Sequence, residues 1–474
     1  MTTECNLESF EFHALGQRDV VARFDGGRVT SDGGGLLLRE TERITGIISQ
    51  FTNCFTDHRD PDRIEHTVEE LVAQRVYALA LGYEDLNDHD DLRHDSLLAV
   101  LVGKEDPLGQ DRSRAEDRGK ALAGKSTLNR LELTPVRASA KSRYKKITLN
   151  RHAVPRLFTD IFLQSYKRPP RRIVLDLDAT DDPLHGRQAG RFFHGYYMNY
   201  CYLPLYIFCG EHLLCARLRP SAIDASAGSV KELDRIVRQI RRRWPRVAIA
   251  IRGDSGFCRE EIMAWCEAND VDFVLGLAKN DRLIVEIATE LTQAKEAFEE
   301  TNQSARVFKD FTYRTRESWS RARRVVGKAE HLPKGANPRF VVTSIPSETI
   351  DARTLYEDEY CARGEMENRI KEQQLYLFSD RTSAATMRAN ELRLWFSSVA
   401  YTLMTALRRL GLPGTDLAHA RCDTIRLKLL KVGARILVTV RKVWVSLSEA
   451  CPYRRIFAQV HQHLVATPSV PLRC

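Results

Sequence analysis

Asp178 ends the short apolar run RIVLDLDAT, Asp254 follows the run VAIAIRGDSGF, and Glu367 lies in LYEDEYCARGEMENRIKEQQ. Carboxylates held at the ends of rigid strands are hard-oxygen donors suited to Mg²⁺ or Mn²⁺. If those two strand ends lie side by side, a third carboxylate must come from an element packed across them, and Glu367 is the candidate. Tyr360, Arg363, Glu367 and Lys371 are spaced 3, 4 and 4 residues apart, which places all four on one helical face. Met366, Ile370 and Leu377 give that helix a side to bury, and Gly364 offers a point of close backbone approach. Asp176, Asp181 and Asp182 compete with Asp178. Strand alternation puts Asp176 on the same face, whereas Asp181 and Asp182 suit the turn before Pro183.

A second motif points to different chemistry. Gly119–Thr127, GKALAGKST, fits G-x-x-x-x-G-K-[ST], a phosphate-cradling loop. That loop must be delivered by a buried strand, and the preceding GQDRSRAEDR has no apolar run to form one. It reads as a turn entering a helix, with Lys120 and Lys125 at most touching a polyanion and no nucleotide cofactor implied.

The elements that position these residues change character along the chain. Residues 1–150 read as an irregular start followed by helices. Within them, Thr67 and Glu70 form a capping box ahead of an amphipathic helix that stops at Gly82. The aspartates of YEDLNDHDDLRHD lack the glycine and spacing of a calcium loop and suit turns and helix starts. From 172 the order is strand-strand-strand-helix-strand-helix-strand, with YYMNYCYLPLYIFCG read as one strand. This order predicts an α/β fold, a mixed sheet flanked by helices, across 151–281. Residues 282–355 read as a β-rich insertion, 356–411 as helices carrying Glu367, and 412–474 as a basic C-terminal region.

Composition bounds the function. The chain has 474 residues, 43% hydrophobic and 28% charged, as in a soluble globular protein. MTTECNLESF is no secretory signal, and LWFSSVAYTLMTAL is shorter than the ~20 residues that span a bilayer. Eleven cysteines without C-x-x-C pairs, with Cys201, Cys209 and Cys215 in apolar sequence, suggest buried thiols and a reducing cytoplasm. Net charge is +9, and residues 381–474 hold 15 Lys plus Arg against 4 Asp plus Glu, or +11. Such a basic surface expects a polyanion, nucleic acid first.

LDLDATDDPLHG, IRGDSGF and YCARGEMENRIKEQQ, with the element order and the N-terminal FDGGRVTSDGGGLLLRE, resemble the DDE-type insertion-sequence transposases of bacteria. The resemblance spans nearly the whole chain. It implies an RNase H-like core with a helical N-terminal domain, a β-rich insertion, and Asp178, Asp254 and Glu367 as catalytic metal ligands. The cut-and-paste members carry Y-x2-R-x3-E-x6-K. Tyr360, Arg363 and Glu367 match it, but the last position is Gln374, and Lys371 lies one turn earlier. The resemblance implies two Mg²⁺ ions, replaceable by Mn²⁺, in phosphoryl transfer on DNA. Arg363 would clamp phosphate, Lys371 and Tyr360 would contact it, and Trp319 in the insertion would stack on an extruded base. It further implies binding of terminal inverted repeats by the N-terminal region, target DNA as second substrate, and a homodimer in the synaptic complex. A metal-dependent nuclease on the same fold and a non-catalytic DNA-binding regulator are the alternatives.

Overall fold

The computed structural model describes residues 9–469; the first eight residues of the N-terminal segment and the last five of the basic tail lie outside the described residues. The Cα positions divide the chain into two compact units, Asn150–Ser398 and Met1–Leu149 with Val399–Cys474.

The unit from 150 to 398 is built on a nine-stranded mixed sheet. In spatial order its strands are His212–Arg217, Leu205–Cys209, Arg172–Ala179, Ala248–Gly253, Asp272–Leu277, Arg339–Thr343, Arg323–Leu332 and Ala305–Tyr313, with Gly335–Ala336 pairing beside the Arg323 strand. The Arg172, Ala248 and Asp272 strands run parallel, joined by the crossover helices Ser229–Arg243 and Glu260–Ala268. Leu233, Ile236, Val237 and Ile240 of the first crossover helix bury one stripe against Leu175, Leu177, Ile249 and Ile251. On alternate residues, Val274, Val326 and Val341 pack against Leu355 and Tyr356 of the next helical run. The sheet is therefore covered by helix on both faces, which fixes its central strands rigidly.

Two expectations take a different form. The stretch read as one strand breaks at Pro204, which has no N–H for a ladder. Leu205–Cys209 enters the large sheet, while Asn199–Tyr202 joins Asp182–Pro183 and Phe192–His194 in a small separate one. In the 282–355 region strands are present but extend the main sheet, and the helices Asp281–Glu286 and Ala288–Thr301 precede them. The TELTQAKEAFEE stretch is too polar to signal a buried stripe; among its described residues Ala294 alone is buried.

In the other unit, Thr67 and Glu70 form the reciprocal capping box and Gly82 ends the helix at φ +97°. That helix, expected to be amphipathic, is buried continuously from Leu71 to Leu81. Its polar members are satisfied internally: Gln74 donates to Ala123 O at 2.8 Å, and Arg75 lies 3.3 Å from Glu132. The triple glycine of SDGGGLLL is a packing requirement. A Cβ on Gly34 would lie 1.7 Å from Leu429 O, and one on Gly35 would lie 2.6 Å from Leu101 Cδ1. The basic C-terminal residues form a hairpin, Ala434–Val438 with Val443–Leu447, that adds to Arg28–Thr30, followed by the helix Arg454–Ala466.

Candidate active site

Strand register brings the first two carboxylates together. Gly253 pairs with Leu177 across the parallel strands, so Asp254 and Asp178 are the next residues on two adjacent strand ends. Asp254 leaves the sheet there and caps the turn Ser255–Phe257, its Oδ1 accepting from Gly256 N at 2.8 Å. Asp178 Oδ1 accepts from Ala179 N at 2.8 Å. Both line a cleft of about 510 Å³ together with Arg363, Glu367, Lys371 and Gln374.

The helical run that supplies those four residues is not uniform. π-type turns at Leu355–Tyr360 and Glu372–Tyr376 flank the tight turn Cys361–Arg363 and the α-helix Gly364–Lys371. Turns of this kind interrupt regular spacing and recur where side chains are re-aimed at a site. Met366, Ile370 and Leu377 are buried as expected. Gly364 is not a point of close approach, since a Cβ there would meet nothing within 4 Å. Gly276 has that role: a Cβ on it would stand 2.5 Å from the Tyr360 hydroxyl, which lines the adjoining pocket beside Asp254.

Arg363 joins the carboxylates. Its Nη2 donates to Glu367 Oε1 at 2.6 Å, and its Nη1 lies 3.6 Å from Asp178 Oδ2. Burial pushes the Asp178 carboxyl up to about 7; Arg363 opposes this, while Asp254 and Glu367 add to it. All three acidic groups thus act on one electrostatic site, compensated by a single guanidinium. Among the described residues, no three His, Cys, Asp or Glu side chains stand together in a ready metal-binding group. The donor chemistry at the cleft, three carboxylates with like-charge repulsion, nevertheless fits a hard divalent cation.

The competing aspartates separate cleanly. Asp176 is buried in a two-pronged pair with Arg252, at 2.5 and 2.8 Å, and Arg252 also donates to Glu359 O. Asp182 is fully buried, accepts from Gln374 Nε2 at 3.1 Å, and is held well above the usual carboxylate range by burial. Its Oδ2 has no hydrogen-bond partner among the described residues. Gln374, standing where the signature has Lys, is thus a neutral donor to a buried carboxyl whose pKa burial raises. Asp181 accepts from Asn199 Nδ2 at 3.0 Å.

Trp319, expected to stack on a base, is a core residue instead. It is 4% exposed, packs edge-on to Tyr313 at 5.8 Å, and carries Arg323 over its ring at 5.6 Å. In the Gly119–Thr127 stretch the helix starts at Lys125, and Asp90 meets that helix start. It accepts from Lys125 N at 3.1 Å and pairs with Lys125 Nζ at 3.1 Å. Sequence reasoning missed Arg252, Gly276 and the segment His194–Tyr197, whose His194, Tyr196 and Tyr197 line the cleft. The aromatic density of RFFHGYYMNYCY was the available signal; apolar character alone made it look like strand. No helix of the described residues is long and apolar enough to cross a membrane.

Two strand-end aspartates and a helix-borne glutamate around one cleft define a carboxylate site on a mixed α/β sheet. The family model described as Transposase DDE domain group 1 matches residues 12–469, and the chain belongs to that family. Curated proteins give no match. Among solved structures, the chain is similar to a piggyBac transposase in a cryo-EM synaptic complex with hairpin DNA. The two share 13% identity at a TM-score of 0.41, over 94% of this chain and 84% of that one.

Proposed function

We propose that this chain is a DNA transposase of the bacterial insertion-sequence, cut-and-paste kind, with an RNase H-like core and Asp178, Asp254 and Glu367 as its catalytic carboxylates. The observation that carries the reading is the strand register that sets Asp254 beside Asp178, with Glu367 lining the same cleft. Two Mg²⁺ or Mn²⁺ ions bound by these carboxylates would supply Lewis-acid activation of water or a DNA 3′-hydroxyl and stabilise the leaving oxygen. The chain's own residues do the positioning. Arg363, aimed between Asp178 and Glu367, is placed to exchange those partners for a phosphate oxygen. Lys371, exposed at the cleft, adds a mobile positive charge, and the Tyr360 hydroxyl stands at the neighbouring wall. Terminal inverted repeats and target DNA are the substrates, and two ends held at once call for a homodimer in the synaptic complex.

The test is incubation of the purified chain with Mg²⁺, a supercoiled target plasmid and a pre-cleaved duplex bearing the element's terminal repeat. Joined products support transposition. Cutting without joining makes the chain a nuclease, and neither reaction, with DNA binding intact, makes it a DNA-binding regulator. Asp254→Ala should abolish the reaction and leave DNA affinity within about threefold.

A further inference from the structure

We infer that the hairpin Phe192–Tyr202 is a stacking platform for unpaired nucleobases of the DNA strand whose phosphate lies in the carboxylate cleft. This rests on the DNA reading above and adds a binding surface to it.

The hairpin pairs Phe192–His194 with Asn199–Tyr202, with Phe193 directly opposite Tyr200. A side chain at a loop tip gains nothing by being aromatic unless it meets something, yet Tyr196 is 83% exposed and Met198 72%. On the hairpin face opposite His194, Phe193 and Tyr200, both exposed, pack edge to face at 5.5 Å. Arg191 lies 4.6 Å over the Tyr200 ring, placing a cation within the aromatic surface. Exposed aromatic side chains gathered on one hairpin mark a binding surface.

The hairpin is held in place. Met198 adopts φ 54°, a left-handed conformation that a non-glycine residue takes at a cost, and its N–H donates to His194 O at 2.8 Å to close the turn. The Tyr197 hydroxyl donates to Ala179 O at 3.2 Å, and Asn199 Nδ2 donates to Asp181 at 3.0 Å. Both anchors fall within three residues of Asp178. The exposed rings are therefore fixed relative to the cleft, and His194, Tyr196 and Tyr197 form part of its wall.

The occupant follows from that juxtaposition. A strand threaded past Asp178 and Asp254 presents bases to whatever forms the wall, and here His194, Tyr196 and Tyr197 form it, with Lys371 as the flanking cation. Rings that accept any base face, beside charges that track a phosphate backbone, are the composition of single-strand sites. A duplex hides its base faces, so the platform discriminates in favour of unpaired ends.

The experiment measures fluorescence anisotropy of the full chain, in Ca²⁺, with two labelled duplexes. One is blunt, and the other carries a 3′ oligothymidylate overhang of about 8 nucleotides. The parent should prefer the overhang duplex. Tyr196→Ala should weaken overhang binding about tenfold, while blunt-duplex binding stays within about twofold. Tyr196→Trp should restore it, and Lys371→Ala should weaken both duplexes. Equal losses on both duplexes, no loss on either, or a parent without preference would overturn the platform and leave the DNA reading standing. A parent that binds neither duplex overturns both. A Tyr196→Ala chain that turns from dimer to monomer in sedimentation, with the overhang preference kept, assigns the patch to a second copy and overturns it too.

Discussion

Arg363 is the residue on which the charge balance of the cleft turns, because one guanidinium faces Asp178 and Glu367 at once. Arg363→Ala leaves two carboxylates uncompensated and removes the phosphate fork; strand cleavage should fall at least a hundredfold, on the order of 3 kcal/mol in the barrier. Arg363→Lys keeps the charge but not the fork, so it should recover only part of that rate in the same assay. Asp178 makes a separate prediction about pH. Its carboxyl titrates near 7 in the folded chain, chiefly because it is buried. In the unfolded chain it titrates near ~3.9. The folded state therefore binds this proton more tightly, and the stability it confers, complete below about pH 4, is lost as pH rises through about 7. Asp178→Asn should leave the metal-free chain's unfolding free energy nearly unchanged at pH 4 and raise it by up to about 4 kcal/mol at pH 8, read by denaturant titration.

Elements set how precisely those side chains are held. Tyr360 reaches its place only because position 276 has no side chain, and a Cβ there would stand 2.5 Å from its hydroxyl. Gly276→Ala should cost about 1–2 kcal/mol of stability and lower cleavage severalfold. Adding Tyr360→Phe to that variant should return most of the stability, which a double-mutant cycle by thermal unfolding checks. The Gly33–Gly35 turn obeys a stricter version of the same rule, since the obstacle to a Cβ on Gly34 is the Leu429 backbone carbonyl and not the end of a side chain. Gly34→Ala should cost about 3 kcal/mol or more, seen as a lower melting temperature. How far the elements can be read in advance depended on their patterns. The crossover helix Ser229–Arg243 and the parallel strands followed from periodicity and β-branched runs. The helix Ala288–Thr301 buries too little to leave a stripe, and the π-type turns around Arg363 have no pattern in sequence at all.

At the scale of the molecule, a net charge of +9 governs association with a polyanion. Duplex affinity should fall steeply as salt rises from about 50 to 200 mM, with a log–log slope of several units in a filter-binding titration. Lys125→Ala should change neither that slope nor Mg²⁺-dependent cleavage by more than about twofold, and added ATP should have no effect, because Lys125 is engaged with Asp90. The unit Asn150–Ser398 holds every residue of the candidate site, so charge elsewhere acts on affinity while the cleft sets the chemistry.

Residue identities and spacings determined on their own much of the strand-helix order, the capping box at Thr67, and the placing of Arg363 and Glu367 on one helical face; the preference for Asp178 over Asp176 came from the family resemblance. Order, cap and helical face are local properties, written in hydrogen-bonding capacity and hydrophobic period. Only the tertiary structure decided that Asp176 is consumed by Arg252, that Trp319 belongs to the core, that Gln374 serves Asp182, and that Asp90 meets the helix start of the nucleotide-like loop. Each of these turns on a partner tens of residues or more away in the chain, except the Trp319 core, which gathers strands and helices across one whole unit. Burial and pairing of that kind emerge from the register of a nine-stranded sheet, which no short window of residues contains.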